Sequence, residues 1–156
     1  MDIHFKIIVP FYNAERWILS CLKSVHAQKY LNYECVVVDD CSTDKSSQII
    51  NDYISDKDRF KLVRTEKNGG PLSSAYMGAL EYSTAPKNED VVVILDGDDF
   101  LYSSSSLETL NKVYNDNDCW MTYGSYINLS DKARGKFAKQ LPSEVIERNS
   151  YRQHEW

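Results

Sequence analysis

The sequence predicts an α/β fold, a three-layer α/β/α sandwich around a mostly parallel sheet. Short runs of β-branched and other apolar residues alternate along the chain with segments whose apolar residues have helical spacing. Strands and helices in this alternation form βαβ units with right-handed crossovers, which cover both faces of a parallel sheet. With 156 residues, of which 42% are hydrophobic and 26% charged, the chain is long enough for one such domain.

Four segments have the composition of buried strands. Residues 5–10 (FKIIVP), 34–39 (ECVVVD) and 91–95 (VVVIL) are apolar runs that end at turn-forming or acidic residues, as strands buried on both faces do. Residues 60–65 (FKLVRT) form a weaker candidate. Ligands of parallel sheets bind beyond the carboxyl ends of the strands, so the residues that follow these runs are expected to share one edge.

Three apolar stripes of helical period lie between these strands. The first stripe, at residues 18–25, predicts a helix of about 14 residues that begins at residue 13 or 14. The second follows possible caps at 42–44, among which Ser42 or Thr43 is expected to cap it, and the third follows the turn signal NGGP at 68–71. The stripes consist of Ile18, Cys21, Leu22 and Val25; of Ile49, Ile50, Tyr53 and Ile54; and of Leu72, Ala75, Tyr76, Ala79 and Leu80.

The second half of the chain is less regular. Leu107, Leu110 and Tyr114 predict a fourth helix after the serines at 103–106, and residues 119–129 (CWMTYGSYINL) predict one more strand. No apolar stretch approaches the roughly 20 residues of a membrane span. The first six residues also lack the layout of a signal peptide.

Charge and cysteine usage exclude several classes of protein. The net charge of −5 disfavours a nucleic-acid-binding surface, because phosphate binding relies on clustered Lys and Arg. The four cysteines have neither CxxC spacing nor a Cys/His cluster, which argues against zinc. Cysteines within apolar runs favour a reduced state and a cytoplasmic location. His4, His26 and His154 have no spaced partner, so structural roles are expected for them.

Three acidic residues, Asp96, Asp98 and Asp99, come directly after the strongest strand. Carboxylates this close raise one another's pKa unless a cation or hydrogen-bond donors offset the repulsion. Oxygen ligands of this kind suit Mg²⁺ or Mn²⁺, and Mg²⁺ is commonly held by one or two carboxylates and by substrate phosphates. The spacing therefore favours a metal and diphosphate site over the alternative, an acidic loop that is merely solvated.

Together these motifs resemble the nucleotide-sugar-binding half of inverting glycosyltransferases of family 2, which have the GT-A fold. The resemblance covers about the first 105 residues and rests on FKIIVPFYNAERWILSCLKSVHAQKYLNYECVVVDDCSTDKS, then NGG, then VVVILDGDDFL. It implies a single GT-A-like domain over 1–156, in which 1–105 bind the nucleotide sugar and 106–156 begin the acceptor part. We expect the chain to be a truncated portion of a longer transferase.

The resemblance also implies a set of residues that contact the donor, usually a UDP-sugar. Asp39 or Asp40 would accept a hydrogen bond from the base. Asp96 would face the ribose or the metal, and Asp98 or Asp99 would bind the Mn²⁺ or Mg²⁺ that bridges the phosphates. The donor-binding set is Pro10, Phe11, Tyr12, Asn13, Glu15, Asp39, Asp40, Asn68, Gly69, Gly70, Asp96 and Gly97, and the metal ligands are Asp98 and Asp99.

Some of these residues have ordinary structural explanations as well. Phe11 and Tyr12 could be core aromatics at a strand end. The NGG at 68–70 is a plain turn signal, whose glycines permit positive φ and a close approach of the backbone to a ligand. These alternatives stay open at the level of the sequence.

Two features depart from the family pattern. Many members carry an Arg-Asn pair where this chain has Ala75 and Tyr76, so the contribution of that pair to donor binding is absent or supplied elsewhere. The general base of the family lies several tens of residues beyond the end of this chain. The catalytic residue is therefore unassigned, because the acids of the second half have no motif context: Asp116, Asp118, Asp131 and Glu144.

The resemblance implies a hexosyltransferase of polysaccharide or glycoconjugate synthesis, with a carbohydrate or glycolipid acceptor. Basic residues could attract an anionic acceptor or the phosphates at the inner face of a membrane, although a solvated loop is the default; they are Lys132, Arg134, Lys136 and Lys139. Two other classes remain: a non-catalytic nucleotide-sugar-binding module, and a haloacid-dehalogenase-type phosphohydrolase. In the latter the DxD motif normally ends the first strand, whereas here it ends the fourth.

Overall fold

The computed structural model describes residues 2–81, 87–135, 143–144 and 148. The chain divides into two compact units, Met1–Asn117 and Asp118–Trp156. Strands and helices alternate through the described part of the first unit, as the sequence predicts. They are β1 (Phe5–Phe11), α1 (Ile18–His26), β2 (Tyr33–Asp39), α2 (Ser46–Ile54), β3 (Phe60–Arg64), α3 (Pro71–Leu80), β4 (Val91–Ile94) and α4 (Ser106–Asp116).

The strands form one parallel sheet in the order β3-β2-β1-β4. Phe11 at the end of β1 lies opposite Asp39 at the end of β2, and Asp39 lies opposite Arg64 at the end of β3. On the other side of β1, Ile8 is paired with Ile94 of β4. This register brings the carboxyl ends of the strands to one edge, and it confirms the predicted α/β class with a parallel sheet.

Helices lie on both faces of the sheet and give it two apolar cores. The predicted burial on both faces is wrong for β4, whose Val92 and Ile94 are 52% and 60% exposed. The larger core is formed by one face of the sheet with α1, α2 and α4, whose buried residues include Ile18, Leu22, Ile50 and Leu107. The smaller core contains Ile8, Val36 and Val38, against which Met77 and Ala79 of α3 pack. Full burial of one such aliphatic side chain contributes about 1.5–3 kcal/mol. Among the described helices, none is long and apolar enough to cross a membrane.

The predicted stripe of α3 is wrong in part. The buried residues of this helix are Ser74, Ala75 and Gly78, whereas Leu72, Tyr76 and Leu80 are exposed. A Cβ added to Gly78 would lie 2.5 Å from the Cγ2 of Ile8 and 3.0 Å from the Cγ2 of Val38. The helix therefore approaches the sheet closely at its small residues, since larger side chains at these positions would prevent that approach.

The start of α1 also differs from the prediction. The helix begins at Ile18 rather than at residue 13 or 14. The carbonyl oxygen of Ala14 accepts hydrogen bonds from the N–H groups of Trp17 and Ile18, both at 2.9 Å. A turn over 14–17 therefore precedes the helix, and residues 12–17 form the loop between β1 and α1.

The described part of the second unit contains an isolated antiparallel bridge. Ile127 pairs antiparallel with Arg134, and the N–H of Gly135 donates to the carbonyl oxygen of Tyr126 at 2.7 Å. The strand predicted over 119–129 is wrong: residues 119–126 belong to no strand, and Trp120 is 99% exposed. Strand-prone residues form a strand only where a partner completes the ladder. Lys136, Lys139 and His154 lie outside the described residues.

Candidate functional site

An open cleft of about 490 Å³ lies at the carboxyl edge of the sheet. The loop that follows β1, the segment that introduces α3 and the loop that follows β4 all contribute to its walls. Ten residues that the sequence singled out line it: Pro10, Phe11, Tyr12, Asn13, Asp40, Asn68, Gly70, Asp96, Gly97 and Asp98. Motifs that are up to 88 residues apart in the chain, from Pro10 to Asp98, thus meet in one place.

Four further residues line the cleft and were not predicted from the sequence. Ala14 and Trp17 continue the loop after β1, and Pro71 and Ser74 belong to the first turns of α3. Trp17 is a large aromatic residue that lies beside the apolar stripe of α1 and not in it. This position in the sequence could have identified it as a residue of the cleft. The other three are small or turn-forming and have no such signal.

Asp39 is fully buried and does not line the cleft. Its Oδ1 accepts the N–H of Ser42 at 2.7 Å, and its Oδ2 accepts from the hydroxyl of Ser47 and from Nη1 of Arg64, the latter at 2.6 Å. Arg64 also donates through Nη2 to the carbonyl oxygen of Ser42 at 2.8 Å. Asp39 therefore ties the end of β2 to β3 and to the start of α2.

Asp40, the next residue, lines the cleft and holds the NGG turn. Its Oδ1 accepts the N–H of Gly69 at 2.9 Å and the hydroxyl of Thr65 at 3.1 Å, and its Oδ2 accepts the N–H of Gly70 at 2.7 Å. Burial raises the pKa of Asp40, but these donors more than offset that effect, so its pKa is lower than the ordinary value. The side chain is thus an ionised acceptor at the wall of the cleft.

The two glycines of the turn serve different purposes. Gly70, which precedes α3, has a φ of 82°, a conformation that residues with a Cβ adopt at a cost. A Cβ on Gly69 would lie 2.7 Å from the Oγ of Ser73, so this glycine allows the turn to approach the helix closely. The positive φ expected of the NGG motif is thus found at Gly70, whereas the close approach at Gly69 is to the chain itself, and an approach to a ligand stays a prediction.

Asn13 holds the loop after β1 against the loop after β2. Its backbone has a positive φ of 51°, and its N–H donates to the Oγ of Ser42 at 3.0 Å. Its Oδ1 accepts from the backbone N–H groups of Thr43 and Asp44 at 2.8 and 3.3 Å. Asparagine is one of the few residues other than glycine that adopt this backbone conformation readily. The residue therefore shapes one wall of the cleft.

Glu15 and Asp44 connect the same two loops reciprocally. The N–H of Glu15 donates to Oδ2 of Asp44 at 3.0 Å, and Oε2 of Glu15 accepts the N–H of Lys45 at 3.1 Å. Asp44 also accepts the N–H of Ser46, the first residue of α2, at 2.9 Å. The expectation that Ser42 or Thr43 caps α2 is therefore wrong. The N-cap residue is Lys45, which makes no side-chain cap hydrogen bond, and the Ser42 hydroxyl accepts from the other loop. Glu15 supports the cleft without lining it.

The acidic loop after β4 is anchored to the end of β1. The N–H of Gly97 donates to the carbonyl oxygen of Pro10 at 3.1 Å, and the N–H of Asp99 donates to that of Asp96 at 2.9 Å. A Cβ on Gly97 would lie 2.6 Å from the Cβ of Phe11, so only glycine fits there without displacement. The carboxylates on either side of Gly97 are exposed, and those of Asp96 and Asp98 line the cleft.

Charge crowding in this loop shifts neighbouring groups. Partial burial raises the pKa of Asp99, and the carboxylates of Asp98 and Asp96 raise it further. Burial also raises the pKa of the Cys21 thiol, whose sulfur lies 3.8 Å from the carbonyl oxygen of Asp96, to about 12 with help from the same acids. The loop is therefore a strongly negative region in which a cation would relieve repulsion.

The donor atoms of the loop fit a hard divalent cation such as Mn²⁺ or Mg²⁺, since they are carboxylate oxygens. Among the residues that the structure describes, no three His, Cys, Asp or Glu side chains converge as a complete metal site. The arrangement suits an ion that takes one or two protein carboxylates and completes its shell with other oxygens.

The candidate bases of the second half make local contacts. Oδ1 of Asp131 accepts the N–H of Ala133 at 2.9 Å, and Glu144 forms an ion pair with Arg148 at 2.8 Å. Asp116 is the last residue of α4 and is exposed. These contacts do not identify any of the three acids as the general base, which stays unassigned.

Solved glycosyltransferase structures share this fold. S. aureus TarS 1-349 in complex with UDP-GlcNAc has 29% sequence identity and a TM-score of 0.59, over 73% of this chain and 32% of that one. The mannosyltransferase PcManGT from Pyrobaculum calidifontis, in complex with GDP-Man and Mn²⁺, has 27% identity and the same TM-score, over 67% of this chain and 30% of that one. The predicted GT-A fold is thereby confirmed.

Sequence comparison gives the same result. An uncharacterized glycosyltransferase of Haemophilus influenzae is 40% identical over 124 residues, which cover 77% of this chain and 46% of the relative. The chain thus spans less than half the length of this relative and of the two solved structures. The family profile described as Glycosyl transferase family 2 matches residues 6–155. With the cleft and its motifs in place, this match shows that the chain belongs to glycosyltransferase family 2.

Proposed function

We propose that this chain forms the donor site of a metal-dependent hexosyltransferase that uses a nucleoside-diphosphate sugar, most simply a UDP-sugar. The proposal rests mainly on one observation: Asp40, the turn at 68–70 and the DGDD loop all contribute to the lining of one cleft. An ionised acceptor at one wall and a cluster of carboxylates at another suit the two ends of such a donor. The family membership adds support, and it leaves the phosphohydrolase alternative without any.

The base of the nucleotide is assigned to the end of the cleft near Asp40. The lowered pKa of Asp40 keeps the carboxylate ionised, so it can accept the N–H of a uracil. Tyr12, which lines the cleft and is 52% exposed, offers a surface on which a planar base can pack. Asp40 lines the cleft, whereas Asp39 is fully buried and does not, so Asp40 is the better candidate of the two.

The diphosphate is assigned to the acidic loop. Asp98 and Asp99 would hold Mn²⁺ or Mg²⁺, which supplies positive charge for the departing nucleoside diphosphate. Asp96 would face the ribose or the metal, and Gly97 keeps the loop close to β1 through its bond to Pro10. The complexes of TarS with UDP-GlcNAc and of PcManGT with GDP-Man and Mn²⁺ are consistent with this assignment.

Transfer would proceed by direct displacement at the anomeric carbon with inversion. A carboxylate base would take the proton of the acceptor hydroxyl, and none of the described residues is assigned to that role. The acceptor is proposed to be a carbohydrate or a glycolipid, in polysaccharide or glycoconjugate synthesis at the inner face of the membrane. The second candidate is a non-catalytic module that binds the same donor. This alternative is supported because no described residue is assigned as the general base.

Release of the nucleoside diphosphate tests the proposal. The chain is incubated with MnCl₂ and, in turn, UDP-GlcNAc, UDP-glucose, UDP-galactose and GDP-mannose, with water as the acceptor of the sugar. Released UDP or GDP is measured by a coupled assay, and donor binding is measured by calorimetric titration. We expect release from at least one UDP-sugar that EDTA abolishes and Asp98→Asn lowers. Donor binding without release would favour the non-catalytic module, and a chain that binds none of the four donors would contradict both candidates.

A further inference from the structure

Trp17 is an exposed aromatic residue on the wall of the cleft. It directly precedes α1, its side chain is 44% exposed, and the guanidinium of Arg16 lies 5.2 Å from the centre of its ring. A tryptophan buries a large apolar surface wherever a partner covers it. In this structure part of that surface is exposed, and the residue lines the cleft.

The position of Trp17 along the cleft follows from its neighbours. The next residue, Ile18, has its Cδ1 only 3.2 Å from where a Cβ on Gly97 would lie, and the sulfur of Cys21 is 3.8 Å from the carbonyl oxygen of Asp96. The start of α1 therefore packs against the acidic loop. Trp17 accordingly belongs to the acidic end of the cleft, whereas Asp40 follows β2 and lies beside the NGG turn.

This placement bears on the sugar of the donor, and the inference rests on the proposed function. A donor with its base near Asp40 and its diphosphate at Asp98 has its sugar ring at the acidic end of the cleft. One face of a pyranose presents mainly C–H groups, and such a face packs on an aromatic ring as other apolar surfaces do. We propose that Trp17 is a specificity residue whose indole packs against the C–H face of the donor sugar.

Calorimetric titration with UDP and with UDP-GlcNAc, each with MnCl₂, tests the inference on the wild type, Trp17→Ala and Trp17→Phe. We expect Trp17→Ala to weaken UDP-GlcNAc binding about tenfold and UDP binding less than about twofold, because only the sugar loses its partner surface. Trp17→Phe keeps an aromatic ring and is expected to lose less. Equal losses for the two ligands, or no loss for either, would overturn the inference.

Fluorescence gives a second measurement that does not depend on truncating Trp17. In a Trp120→Phe, Trp156→Phe background, Trp17 is the remaining tryptophan of the three in the chain. We expect UDP-GlcNAc to shift its emission to shorter wavelength more than UDP does, and identical emission with both ligands would count against the inference. A wild-type chain that fails to bind UDP at all contradicts the proposed function instead, so the two failures are distinguishable.

Discussion

Nη1 of Arg64 lies 2.6 Å from Oδ2 of the fully buried Asp39, at the ends of two adjacent strands. The neighbouring Asp40 lines the cleft and binds the backbone of the NGG turn. Two consecutive acids of one motif therefore differ in role: Asp39 secures the ends of β2 and β3, and Asp40 forms part of the cleft wall. Loss of the Asp39 carboxylate is therefore expected to affect stability, whereas loss of the Asp40 carboxylate is expected to affect both the fold and the binding of a ligand.

Asp39→Asn is expected to lower the free energy of unfolding by about 2 kcal/mol, because it removes the carboxylate from a buried acceptor that serves Arg64, Ser42 and Ser47. Urea unfolding measures the loss. The folded variant should bind UDP within about twofold of the wild type, since Asp39 does not line the cleft. Asp52→Asn, on the exposed side of α2, is the matched control. An Asp39→Asn chain as stable as the wild type would contradict the structural role.

Asp40→Asn is expected to weaken UDP binding and to change how stability depends on pH. Because the folded protein lowers the pKa of Asp40 below its ordinary 3.8, the carboxylate stabilises the fold above that pH. The contribution is lost as the pH falls through the lower, folded-state value. The stability difference between wild type and Asp40→Asn should therefore be constant from about pH 7 to 5 and shrink below about pH 4. Urea titrations across this range measure it, and a difference that does not change with pH would contradict the assignment.

Cys41→Gly is expected to stabilise the protein slightly. Cys41 has a φ of 66°, in the left-handed region where a side chain costs about 1 kcal/mol, and glycine avoids that cost. Part of the gain is offset because glycine makes the unfolded chain more flexible, which leaves about 0.5 kcal/mol. Cys41→Ala removes the thiol but keeps the Cβ, so it serves as the control in thermal unfolding. A glycine variant less stable than the alanine variant would refute the explanation.

Gly97→Ala is expected to destabilise the fold by about 1–3 kcal/mol and to weaken UDP binding. The added Cβ would lie 2.6 Å from the Cβ of Phe11 and 3.4 Å from the carbonyl oxygen of Pro10, so the acidic loop must move away from β1. Gly124→Ala is the matched control, because nothing lies within 4 Å of a Cβ at that position. Urea unfolding and UDP titration are the measurements, and a Gly97→Ala chain that behaves like the control would contradict the packing described for the loop.

The strands and the first two stripes were predictable because buried parallel strands and amphipathic helices leave strong periodic patterns. The pattern failed at α3, where Gly78 and Ser74 face the sheet and Leu72 does not. Hydrophobicity alone cannot reveal a helix that packs through small residues. It failed again at 119–126, since strand propensity does not specify whether a partner strand is present.

The location of the candidate site was predictable because strand ends in a parallel sheet converge, which brought Asn13, Asp40 and Asp98 to one cleft. The roles of the individual residues within the cleft were not predictable. Asp39 and Asp40 are identical neighbours in the sequence, and only the contacts with Arg64 and Gly70 distinguish them. The backbone N–H of Glu15 donates to the carboxylate of Asp44, which lies in another loop, and no local sequence pattern encodes the relative position of these two loops. The role of Trp17 likewise depends on tertiary packing.

Calorimetric titration of UDP with and without MnCl₂ tests the central claim most directly, namely that the DGDD loop holds a metal-bound nucleoside diphosphate. The wild type is compared with Asp98→Asn and with Asp116→Asn, an exposed acid at the end of α4. We predict Mn²⁺-dependent UDP binding that Asp98→Asn weakens about tenfold or more, while Asp116→Asn leaves it unchanged. UDP binding that is equal with and without Mn²⁺ and unaffected by Asp98→Asn, or no UDP binding at all, would contradict it.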